Sequence, residues 1–322
     1  MLKVRIVENL EECERIWNEV WPQECLFDLW PVRECFASCY NSQPYFIIAE
    51  QFGKIEGIIA LSWVEDGQYF GHFPGETYQG KTWLEQNRIL AHSPQVLSIL
   101  LDNMPGPVHL RYLTGDSILE DLSPLAVDEV GYFFLPGSYN FSFQNYMQSF
   151  SGKSRKKLAR ELAVLEDIGV SYRYNDISDV QQLFKMNLES FGKKSYFADH
   201  RFLGSMEKLV NWLSGNGMLR ITTILLRNTV AAIDIGALWG NSYTLLAGAT
   251  NPQFQGVAKM INFHHMEWAC RQGLEEVDFL CGDFGWKKRF HLTGRSLYEI
   301  NRKTGWSIMD EYVAPRVLVH EQ

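Results

Sequence analysis

The feature that most limits how this chain can fold is an echo of itself. The stretches GKIEGIIALSWVEDGQYF at residues 53–70 and NTVAAIDIGALWGNSYTL at 228–245 both read as strand, turn, strand, at an offset of 175 residues. Further on, YQGK at 78–81 echoes FQGV at 254–257 at an offset of 176. Self-similarity at one spacing marks a repeated structural unit, so two degenerate copies of one α/β unit are predicted. A chain of 322 residues has room for both, each with a core of its own. The turn-rich PGSYNFS at 136–142, followed by the helical pattern SGKSRKKLARELAVLEDIGV, places the division between a domain at 1–140 and one at 141–322.

The second half spells out its elements. Leu158, Leu162 and Leu165 mark a helix over about 152–168, and a strand over 170–174 and helices near 177–190 and 199–213 follow. Apolar alternation then gives strands near 218–226, 230–239 and 242–250. A helix opens after 251–258 and ends at Gly273; VDFLCGD reads as a buried strand, FGWKKRF as a short helix and SLYEINR as a last strand. The expected class is α/β, a mixed central sheet flanked by helices in each domain.

Composition narrows the function. With 38 acidic against 30 basic residues the net charge is −8, which argues against general affinity for nucleic acid. The N-terminal stretch lacks the apolar core of a signal peptide, and no run of about 18 apolar residues offers a membrane span, so a cytoplasmic protein is expected. The six cysteines lack paired spacing or histidine partners and read as free, mostly buried thiols. His264 and His265 are adjacent and point apart on a helix; His264 is expected to pack in a stripe with Trp268, and no metal is expected. Trp63, Trp83 and Trp239 read as core or cleft wall.

The pattern at 251–260, NPQFQGVAKM, carries the chemistry. A loop passing from strand to helix leaves unpaired amides at the positive end of the helix, where a phosphate binds well. Gly256 lets the main chain approach closely, Ala258 leaves the surface uncrowded, and Gln253 offers side-chain contacts. Gln253-x-x-Gly256-x-Ala258 resembles the Arg/Gln-x-x-Gly-x-Gly/Ala signature of the GNAT acyltransferases, a likeness that covers most of 150–310. FSFQNYMQSFSGKSRKKLARELAVLEDIGV with LEEVDFLCGDFGWKKRF is similar to the branch that includes Fem-type peptidyltransferases and acetyltransferase-like proteins of cellulose biosynthesis.

The resemblance implies tandem GNAT-like domains. The pyrophosphate of acetyl-CoA or another acyl-CoA would lie on the loop of Gln253, Gln255, Gly256, Val257, Ala258 and Lys259, and the amides of Leu246, Ala247 and Gly248 would steady an oxyanion. Asp283, Gly285 and Lys287 stand where that branch has its Asp, Gly and Tyr-Lys pair, with Trp286 replacing the tyrosine. The implied reaction is direct attack of a small-molecule or peptide amine on the thioester, with Asp234 or Asp283 as base and Lys287 binding an acceptor carboxylate or phosphate. Asp234 lies within the apolar strand VAAIDIGALWG, where desolvation favours a base with raised pKa; a hydrogen-bonded structural aspartate, or a strand face open to a cleft, are the other readings.

Lys153, Arg155, Lys156, Lys157 and Arg160 form one basic cluster. A solvated helix face, a contact with the phosphates of CoA or an anionic acceptor, and a tRNA surface all fit it. Fem-like transfer from charged tRNA, or a non-catalytic binding module, are therefore the alternatives to an acyl-CoA-dependent N-acyltransferase. In the first copy, YQGKTW lacks the leading residue and the second small residue of the motif, so that domain is expected to act as scaffold or as a wall of the acceptor cleft.

Overall fold

The computed structural model describes residues 2–115, 126–282 and 284–303, and the two echoed stretches form the centres of two like-built halves. The first half runs β1 (Lys3–Val7), α1 (Leu10–Val20), α2 (Trp30–Tyr40), β2 (Pro44–Gln51), β3 (Lys54–Val64), β4 (Tyr69–His72), β5 (Leu90–Ala91), α3 (Pro94–Asp102), β6 (Val108–Thr114) and β7 (Ala126–Phe134). Two helices, α4 (Phe143–Gln148) and α5 (Gly152–Ile168), lead into the second. It continues with β8 (Val170–Tyr174), α6 (Ser178–Phe191), α7 (His200–Gly215), β9 (Leu219–Leu226), β10 (Thr229–Trp239), β11 (Ser242–Thr250), α8 (Val257–Gln272), β12 (Glu276–Asp278), α9 (Trp286–Arg289) and β13 (Thr293–Arg302). Setting aside the short β5 and α9, the two orders match element for element.

Pairing follows the same rule twice. β1, β2, β3 and β4 are antiparallel neighbours and β4 meets β6 in parallel; β8, β9, β10 and β11 are antiparallel and β11 meets β12 in parallel. The last strands then change sides. β7 pairs with β12 of the second half, β13 pairs with β6 of the first, and the two lie against each other, so one sheet crosses the whole molecule. Along the chain β7 ends at Phe134 and α4 begins at Phe143, while in space each half is completed by the other's final strand.

The central strands are apolar runs because both faces are covered. Phe46 to Ala49, Ile58 to Leu61 and Ala231 to Ile233 have no exposed surface. One core belongs to both halves: Phe27, Val32, Phe36 and Leu84 pack with Phe202, Met206, Ile233 and Leu246. The equivalent helices α2 and α7 meet there.

Two local expectations differ. YQGK is a tight turn closed by paired bonds between Tyr78 and Lys81, well before α3 begins at Pro94, so it is not the counterpart of the loop at 254–257. The strand expected over VDFLCGD stops at Asp278, whose Oδ1 accepts the Leu280 amide and turns the chain out of the sheet. The six cysteines are free, with Cys13, Cys35 and Cys270 buried and the others half-buried. Among the described residues no helix is long and apolar enough to cross a membrane.

Candidate functional site

The loop 251–256 delivers the chain from β11 into α8 with Gly256 as the residue before the helix, at φ +92°, a left-handed conformation that strains any side chain. Several amides here are already used: Gln253 donates to Asn251 Oδ1, Val257 to the Phe254 carbonyl and Lys259 to the Gly256 carbonyl. Those of Gln255, Gly256 and Ala258 have no partner among the described residues. The Lys259 ammonium pairs with Glu161 of α5. Beside this helix end runs a groove of about 740 Å³ lined by Ser151, Ser154, Lys157, Ala258, Arg289 and His291 among others. Of the basic cluster, Lys157 lines this groove, whereas Lys153, Arg155, Lys156 and Arg160 are exposed.

The strand that feeds the loop has an open edge. β12 pairs with β11 only from Ser242 to Thr244, and β11 continues to Thr250, so its outer edge runs on without a strand partner. A bulge sets Leu246 out of register: Ile235 faces Ala247 while Gly236 faces Leu245. At that point a cavity of about 160 Å³ opens beside Leu246, Ala247 and Gly248, walled by Trp83, Tyr196, Phe197, Phe202 and Met206. Asn187 Nδ2 donates to the Gly248 carbonyl at 3.4 Å.

Asp234 lies behind this strand and faces α8. Its Oδ2 is 3.0 Å from His265 Nε2, with both side chains buried. A β-carbon at Gly248 would stand 2.2 Å from Asp234 Oδ1, so the glycine makes room for the carboxylate. Around the pair, His265 Nδ1, Tyr243 Oη and Thr222 Oγ1 are buried without partners among the described residues. His264 stacks on Tyr172 at 4.3 Å and shares a 3.2 Å contact with the Tyr174 hydroxyl, in place of the expected stripe with Trp268. Among the described residues no three His, Cys, Asp or Glu side chains are grouped to hold a metal ion.

In the comparison with protein families, residues 152–288 match the acetyltransferase (GNAT) domain. That match covers most of the second half. FemX, at 12% identity, superimposes with a TM-score of 0.58 over 93% of this chain and 98% of its own. L-PGS from Bacillus licheniformis, also 12% identical, gives 0.56 over 94% of each chain, and a conserved protein of unknown function from Bacteroides thetaiotaomicron gives 0.58 over 92% and 99% at 12% identity. At such identities these likenesses establish the shared fold of the whole two-part chain. Comparison with curated proteins gives no match.

The second half meets the first at a buried polar knot after β12. Lys287 is 2% exposed, and its ammonium donates to the carbonyls of Phe279, Leu280 and Cys281 at 2.9, 2.8 and 2.7 Å. All three protons are used, so the expected contact with an acceptor anion is replaced by a brace for the turn 279–281. Burial lowers the Lys287 pKa, opposed first by the charge of Glu85. Glu85 accepts the Cys281 amide at 2.9 Å on both oxygens, and Asp278 Oδ2 accepts from Gln86 at 2.6 Å. Desolvation pushes Glu85 up to about 7 and Asp278 up to about 8, the latter helped by the charge of Glu85. Asp283 lies outside the described residues. Sequence reasoning missed Glu85, Asp278 and Asn187, and it named His265 without its contact to Asp234; of these only His265 carried a signal, as a polar residue among the apolar Ile261, Met266 and Ala269.

Proposed function

We propose that the protein is an acyl-CoA-dependent N-acyltransferase. The observation that carries this reading is the alignment of one open strand edge with one open helix end. Among the described residues β11 beyond Thr244 has no outer strand neighbour, and it leads into a loop whose amides at Gln255, Gly256 and Ala258 have no partner. From Thr250 back to Leu246 the strand covers about 13 Å, a length suited to the extended arm of CoA. Its diphosphate would rest on the three amides and its remaining phosphate near Lys157 and Arg289.

On this reading the amine nitrogen attacks the thioester carbon, a C–N bond forms, the C–S bond breaks and CoA leaves as the thiol. Main-chain amides at Leu246 to Gly248 stabilise the oxyanion. Asp234 is a positioning residue: it faces α8, holds His265 and fits against Gly248 behind the strand. The base assigned to Asp283 rests on the sequence alone.

The test is binding followed by turnover. Millimolar CoA is expected to raise the melting temperature by native-state binding, and Gly256→Val to abolish the rise while the apo protein still melts cooperatively. Acyl-CoA with a panel of amines is then expected to release free thiol. No shift and no heat of binding with CoA, together with salt-sensitive binding of charged tRNA, would transfer the assignment to a Fem-like donor.

A further inference from the structure

We propose that the cavity beside Leu246, Ala247 and Gly248 holds the transferred group, and that this group is an uncharged apolar acyl of about six carbons or one aromatic ring. The inference rests on the acyl-CoA reading and names its donor. The cavity opens at the bulge of β11, on the edge along which the thioester arm would run. Its volume is about 160 Å³. An apolar cavity of about 150 Å³ accommodates benzene, whereas an acetyl group, with three heavy atoms of roughly 20–30 Å³ each, would leave half of it empty.

The walls fix the chemistry as well as the size. Trp83, Tyr196, Phe197, Phe202 and Met206 present rings and a thioether, and no lining residue is charged. An aminoacyl ammonium or a dicarboxylic acyl would lose its hydration there with no counter-charge among the lining residues and only the Tyr196 hydroxyl as a neutral polar contact, at a cost that disfavours it. The polar group of Asn187 is already engaged, accepting from Ser195 Oγ at 2.7 Å and donating to the Gly248 carbonyl. The rings are held in place: Trp83 stacks on Phe36 at 5.3 Å and meets Phe202 edge-on at 5.8 Å, and Tyr196 lies 4.9 Å from Phe202. Trp83 comes from the first half, and Tyr78 of the same half closes over the loop by donating to the Lys193 carbonyl. The half that lacks the phosphate motif therefore sets acyl specificity.

The experiment uses the full chain with CoA and with acetyl-, butyryl-, hexanoyl-, benzoyl- and dodecanoyl-CoA, measuring affinity by calorimetry and specificity by kcat/KM for thiol release. Each methylene that enters the cavity is expected to raise affinity about fourfold, giving at least a tenfold gain from acetyl to hexanoyl, a similar gain for benzoyl, and none from hexanoyl to dodecanoyl. Ala247→Leu fills the cavity and should return the preference to acetyl; Trp83→Phe enlarges it and should move the optimum to longer chains. CoA binding with no gain along the series in wild type overturns this inference and leaves the N-acyltransferase reading standing. Failure of CoA itself to bind removes both.

Discussion

The buried carboxyls at the junction make a test of how the halves are held together. Glu85 and Asp278 come from opposite halves, are 5% and 1% exposed, and lack a direct cation, since the neighbouring Lys287 gives its protons to carbonyls. Both carboxyls are raised in the folded chain, to about 7 and about 8, chiefly by desolvation. A carboxyl whose folded pKa lies above its unfolded value binds more proton when folded, so its stabilising contribution is complete below about pH 4 and is lost as pH rises through 7 to 8. For Glu85 alone, moving from an unfolded value near 4.3 to about 7 removes about 2.5 kcal/mol of stability between pH 5 and pH 8. Glu85→Gln keeps an acceptor for the Cys281 amide and removes this titration together with the charge that raises Asp278. Urea denaturation at pH 5 and pH 8 should show the wild-type loss reduced by at least about 2 kcal/mol in the variant. An identical pH dependence in both proteins would refute the reasoning.

Two further perturbations test the frame. Gly248→Ala places a methyl against Asp234 Oδ1 and should destabilise by about 1–3 kcal/mol by displacing the carboxylate from His265; in an Asp234→Ala background the same change should cost much less, and additive costs in the double-mutant cycle would disprove the contact. Because β7 and β13 each complete the other half, fragments 1–135 and 136–322 should melt without a cooperative transition when expressed singly and regain one when co-expressed; a cooperative transition in either fragment alone would contradict the shared-sheet account.

What the sequence made legible was whatever a short window determines. The alternation in 218–250 and the heptad-like leucines of 158–165 gave the second half element by element, because strand and helix periods differ within a few residues. Gly256 marked the helix end, since a left-handed residue before a helix has a one-letter signature. The spacing of 175 exposed the repeat, and β3 and β10 stand at that offset in the fold. Pairing between distant segments carries no such signature. Nothing local in Ala126–Phe134 says that it will lie beside Val277 and not among its own repeat, and nothing in Trp83 points to Leu246. The polar knot was hidden for the same reason. Glu85 and Asp278 look ordinary in the chain and acquire their character only when nearly 200 residues of sequence fold between them.

The two halves also begin their equivalent helices differently, which bears on the proposed phosphate site. α3 and α8 are equivalent helices, each entered after the fourth strand of its unit. At α3 the serine at 93 accepts the Val96 amide, and Pro94 has no amide to offer, so that helix end has little left to give a phosphate. At α8 the residue before the helix is Gly256, which has no side chain to satisfy the amides it exposes. The gain in local stability that a cap provides, typically about 1 kcal/mol, is the same interaction that a phosphate would have to displace. Capping one helix end and leaving the other open therefore divides the labour: the first half contributes stability and the aromatic wall at Trp83, and the second keeps a helix end whose amides at Gln255, Gly256 and Ala258 have no partner among the described residues.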